Sequence, residues 1–90
     1  MQFEWDENKA LRNEKKHKVS FREALTVFGD PLEMTMNDPA HSEGEYRFLS
    51  IGRSINGRLL VVSYTERYDD HIRIISAREA TKQEEQQYEN

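Results

Sequence analysis

Phe3 and Trp5 bracket Glu4, and this alternation predicts a short first strand. Asp6 is placed to cap a helix over residues 7–16, with Glu7 favourable in the first turn. That helix is polar on nearly every side. Ala10 and Leu11 are its only aliphatic anchors, so it should pack lightly at an edge. The next helix is better marked. Ser20 and Glu23 have capping-box spacing behind Val19, the sequence Phe21, Ala24, Leu25, Phe28 follows one helical face, and Gly29-Asp30-Pro31 stops it. Leu32, Met34 and Met36 then alternate with polar residues and predict a strand, and 37–44 reads as an exposed loop. Residues 47–53 form a strand, Asn56-Gly57 a hairpin turn with both residues suited to positive φ, and 59–65 the returning strand. A tight connection at Tyr68-Asp69-Asp70 leads to a last strand over 72–77, and Thr81 with Glu84 opens a charged C-terminal helix. The order is β-α-α-β-β-β-β-α, a single α+β domain over residues 1–90 with a mostly antiparallel sheet and helices grouped on one face.

Composition narrows what such a domain can do. Ninety residues with 36% apolar content support one small core but no deep enclosed cavity, so a site should be a shallow cleft. Cysteine is absent, which removes disulfides and thiolate metal sites. The three histidines are far apart in sequence, no HExxH, P-loop or GxGxxG motif occurs, and neither a cofactor nor a metal is expected. The N-terminus lacks a basic and apolar leader pattern, and no apolar run approaches the roughly 20 residues of a membrane span, so a cytoplasmic protein without membrane contact is expected.

The net charge of −4 argues against a generic nucleic-acid binder, but the charge is unevenly placed. Residues 1–45 carry six basic and ten acidic groups, and residues 79–90 carry one and four. Between Tyr46 and Arg78 stand six arginines, no lysine and three acids, about +3. Arginine is costly to bury without an anion. Arg47, Arg53, Arg58, Arg67, Arg73 and Arg78 must be paired with carboxylates such as Glu66, Asp69 or Glu84, turned to water, or held for a ligand such as phosphate.

The stretches Phe3-Glu4-Trp5-Asp6, Lys16-His17-Lys18-Val19-Ser20-Phe21, Gly57-Arg58 and Ile72-Arg73-Ile74-Ile75-Ser76-Ala77-Arg78 resemble the BrnT family, the ribonuclease toxins of BrnT/BrnA toxin–antitoxin systems. Lys18 departs from the pattern, standing where the family often has glycine. The resemblance implies a fold similar to RelE-type toxins and metal-independent RNA cleavage that inhibits growth. It also implies neutralisation by a BrnA-like antitoxin: any DNA contact runs through the antitoxin, and the expected assembly is two-plus-two.

Metal-free RNA cleavage uses the 2′-hydroxyl as nucleophile on the adjacent phosphate. It needs a base, an acid and cations around the phosphorane. Arg67, Arg73 and Arg78 suit the phosphate because guanidinium grips it bidentately. In an ideal strand Arg73 and Arg78 point to opposite faces, so both serve one site only if a bulge or the strand end turns Arg78. His17 is the best-placed histidine for proton transfer, or else a helix C-terminal residue interacting with the dipole. His41 in the loop and His71 in the turn read as solvated. Glu66 beside Arg67 is a candidate base. Arg47, Arg53, Tyr68 and Tyr88 are candidate RNA contacts, with the tyrosines, Tyr64 included, able to stack on bases or to serve as core. The competing class is a non-enzymatic interaction module or inactive toxin homologue, whose arginines and acidic helices form a protein interface.

Overall fold

A computed structural model of the chain describes residues 1–39, 46–68 and 70–89, so His41, Asp69 and most of the expected 37–44 loop lie outside the described residues. The elements run β1 (Gln2–Glu4), α1 (Glu7–His17), α2 (Phe21–Leu25) with a 3-10 turn over Thr26–Gly29, β2 (Met34–Asn37), β3 (Arg47–Arg53), β4 (Leu59–Arg67), β5 (His71–Glu79) and α3 (Lys82–Glu89). This is the α+β order read from the sequence. The five strands form one open sheet in the order β1-β5-β4-β3-β2, antiparallel except for β1 against β5.

Strand alternation sorts the residues between the two faces. On one face Leu60, Val62, Tyr64, Ile72, Ile74 and Ala77 meet Val19, Phe21, Ala24 and Val27 from the helical segment. Phe3, Phe28 and Phe48 pack around Tyr64 and one another as an aromatic cluster, with Phe28 edge-on to Tyr64 at 5.0 Å. A second, smaller cluster forms on the opposite face, where Ile51, Leu59 and Val61 pack with Met36, Leu49, Ala80 and Tyr88. The grouping of helices on one face therefore holds for α1 and α2, whereas α3 crosses the hairpin end of the other face. The reason is local: Tyr88 is α3's anchor, and its hydroxyl donates to Asp30 at 2.6 Å. Among the described residues no helix is long and apolar enough to cross a membrane.

Helix α1 is attached by a polar residue. Leu11 is 65% exposed, while Asn13 is buried. The Asn13 amide donates to the Ala77 and Val19 carbonyls, both at 2.9 Å, and its oxygen accepts from the Ala77 amide at 3.1 Å. Beyond Arg73, where β1 stops pairing, Asn13 thus supplies the open edge of β5 with the donor and acceptor a neighbouring strand would give. The helix ends at Lys18 with φ 60 and ψ 31, the left-handed cap conformation that glycine adopts at least cost. In the hairpin only Gly57 takes positive φ, at 82, rather than both Asn56 and Gly57. Gly57 donates to the Ser54 carbonyl and Ser54 to Arg58, so the turn is one residue longer than the two-residue form.

Candidate RNA-binding face

The pairing of β4 with β5 shifts register between Ser63 and Tyr64. Ser63 pairs with Ser76 but Tyr64 pairs with Ile74, leaving Ile75 as an extra residue in β5. The bulge changes the parity of everything beyond it. Arg78 pairs with Val61 and Arg73 with Thr65, both odd positions of β4, so the two arginines project from the same face. Arg67 pairs with His71 on that face, and across β3 Arg47 pairs with Thr65 and Arg53 with Leu59. Five arginines thus share the face turned away from α1 and α2. Glu66 does not join them. It pairs with the core residue Ile72, so its carboxylate lies on the helix side, away from Arg67 and Arg73.

The five arginines differ in their partners. At the hairpin end, Arg78 makes a bidentate pair with Glu84, at 2.7 and 2.8 Å. Glu84 also accepts from the Thr81 amide while Thr81 caps the Glu84 amide, completing the capping box of α3. Arg78 foremost, with the helix cap, holds the Glu84 carboxyl down at about 2 against the burial that opposes it. Arg53 donates to the Gly57 carbonyl and lies 5.7 Å from the centre of the Tyr88 ring, so both serve the docking of α3.

At the other end the face is open. Arg67 is exposed, and Arg73, 32% exposed, contacts Glu4 at 3.4 Å. Tyr68 is 77% exposed, with its ring 5.5 Å from that of His71. Between Arg47 and Arg73, in the same cross-strand row, sits Thr65, fully buried, whose hydroxyl has no hydrogen-bond partner among the described residues. An unsatisfied buried hydroxyl costs about 1–3 kcal/mol, so a valine would be the more stable choice there.

Arg58, counted in the same run, belongs to the scaffold. Its guanidinium grips the Glu23 carboxylate through two nitrogens and also donates to the Lys18 carbonyl at 3.0 Å. Glu23 is buried, and Ser54 donates to it at 2.7 Å. Arg58 first, then Ser54, hold its carboxyl at about 2 against desolvation. His17 lies at the end of α1, where it lines an open groove of about 360 Å³ with Ile75 and Ser76, beside the β5 edge rather than on the arginine face. His71, expected in a solvated turn, instead opens β5 and is partly buried on the arginine face. The alternation His71-Ile72-Arg73-Ile74 signals this placement, because two core isoleucines put His71 and Arg73 on the opposite face together. Among the described residues no three His, Asp or Glu side chains gather in a way that could hold a metal ion.

The fold is a small open α+β sheet with one face buried by α1 and α2 and five arginines on the other. The sequence profile described as "Ribonuclease toxin, BrnT, of type II toxin-antitoxin system" matches residues 5–84, and the chain belongs to that family. No curated protein matches the sequence. Among solved structures, the crystal structure of the Brucella abortus ribonuclease toxin BrnT is similar, with TM-score 0.66 and 21% identity, covering 91% of this chain and 99% of that one. At that identity the likeness concerns the fold alone.

Proposed function

We propose that this ribonuclease toxin cuts RNA without a metal ion, on the open half of the arginine face. The strand register carries this reading, because Arg47 and Arg73 flank Thr65 and Arg67 pairs with His71 two positions on, which gathers the three around one patch of sheet. In that geometry Arg67 and Arg73 neutralise the phosphorane as the RNA 2′-hydroxyl attacks and the 5′-oxygen leaves, giving a 2′,3′-cyclic phosphate. His71 stands beside Arg67 to carry a proton, and Tyr68 supplies a face for base stacking. Arg78 borders the patch, with its fork held by Glu84. Glu66 faces the other way. The BrnA-like antitoxin neutralises the toxin by covering this face in a two-plus-two assembly, and DNA is met only through the antitoxin. The absence of a spanning helix among the described residues is compatible with work in the cytoplasm.

The test is cleavage of an end-labelled RNA by the purified chain in EDTA, with a fully 2′-deoxy strand and Arg67→Ala alongside. Cutting to cyclic-phosphate ends, absent on the deoxy strand and lost in Arg67→Ala at unchanged circular dichroism, supports the reading. A folded chain that cuts neither free RNA nor RNA on translating ribosomes would leave the interaction module.

A further inference from the structure

A second basic surface lies outside the arginine face. Helix α1 is charged throughout, but its charges are sorted. At 100° per residue Lys9, Arg12 and Lys16 fall within about 60° of arc, while Glu7 and Glu14 lie on the far side of the helix. Glu7 and Glu14 accordingly line a different hollow, with Trp5 and Leu11. Lys9, Arg12 and Lys16 form one wall of the 360 Å³ groove, His17 closes its end, and the bulged Ile75-Ser76 of β5 forms the other wall. Among the described residues no carboxylate lines it. Its floor is fixed, since Asn13 uses its whole amide to hold Val19 and Ala77.

The groove meets the arginine face. Ser76 lines it, yet Ser76 pairs with Ser63, between the Arg73–Thr65 row and the Arg78–Val61 row. The bulge that brings Arg78 onto the face of Arg73 thus also supplies the groove wall opposite α1. From Lys9 to Lys16 the helix rises about 10 Å, a length of roughly two internucleotide steps, which presents three successive phosphates.

We infer that the groove between α1 and the β5 bulge is a track for the sugar-phosphate backbone of single-stranded RNA leaving the arginine face. This rests on the RNA-cleaving reading for the direction of the strand. The recognition is ionic and independent of sequence: Lys9, Arg12 and Lys16 each take a phosphate, and the groove lengthens the footprint beyond the nucleotides at the scissile bond.

The experiment measures binding of an uncleavable, fully 2′-O-methyl RNA of about 16 nucleotides, a length within the usual footprint of single-strand binders, at several salt concentrations. Wild type is compared with the triple variant Lys9→Ala/Arg12→Ala/Lys16→Ala. A control, Lys15→Ala/Arg22→Ala, removes positive charge outside the groove. All five side chains are exposed, so each variant should melt with wild type. The triple is expected to lose about tenfold or more in affinity, and its slope of log K against log salt to shrink by about 2, as three lost phosphate contacts require at about 0.7 each. The control should change affinity by less than about threefold, as scattered surface charge does. Equal losses in the triple and the control would overturn the track, leaving only bulk charge. So would an unchanged triple, including one that has instead lost the antitoxin. If the triple loses RNA as expected while wild type cleaves nothing, the track stands and the nuclease reading fails.

Discussion

The arginine-bearing sheet has two ends that use the same residue differently. At the hairpin end Arg58 is answered by Glu23 and Arg78 by Glu84, and Arg53 lies against Tyr88. At the other end Arg67 and Arg73 face outward beside Tyr68 and His71. Among the described residues, close carboxylate pairs hold Arg58 and Arg78 at the hairpin end, whereas Arg73 has a longer contact to Glu4. The difference teaches that a count of arginines cannot locate a site, because the partners decide it.

Changes at the hairpin end should appear as lost stability. Arg58→Ala strands the buried Glu23 carboxylate and is expected to cost about 3 kcal/mol in urea unfolding at neutral pH. The sign of its pH dependence follows from Glu23, lowered from 4.5 to about 2 in the fold. That contribution is complete above the unfolded value and fades as pH falls from about 4.5 towards 2, so wild type and Arg58→Ala should converge across that window. Glu84→Gln acts the same way on a more exposed pair. It should lose about 1 kcal/mol at pH 7 and approach wild type over the same acid range, followed by thermal melts.

The open end should respond in the opposite sense. Thr65→Val removes the unpartnered hydroxyl and is expected to gain about 1 kcal/mol in urea unfolding. A fall in RNA cleavage by this more stable variant would assign the hydroxyl to the site. Smallest is Lys18→Gly, which relieves a left-handed residue next to the Arg58 contact and should gain about 0.5–1 kcal/mol in the same assay without altering cleavage.

Much of the fold was legible because its determinants are local. The Ser20 cap of α2, the Thr81–Glu84 box and the Gly57 turn are set within four residues, and each is present. The long-range devices were not legible. Asn13 reads as one more polar residue on a polar helix, yet its two partners lie six and 64 residues away. Glu23 reads as half of a capping box, yet its carboxylate is given to Arg58, 35 residues on. The bulge is of this kind as well. Strict alternation separates Arg73 from Arg78, and only the register of β4 against β5 shows that Ile75 is the extra residue. Residue types for RNA chemistry could be read from the chain, but which arginines share a face could not.

The most direct test of the division between the two ends is a side-by-side rate measurement on one labelled RNA in EDTA, for wild type, Arg73→Ala and Arg53→Ala, with urea midpoints taken on the same preparations. The account predicts that Arg73→Ala loses about 100-fold or more in cleavage with its midpoint nearly unchanged, while Arg53→Ala keeps cleavage within a few-fold. Equal losses in the two variants, or a larger loss in Arg53→Ala at an unchanged midpoint, would contradict it.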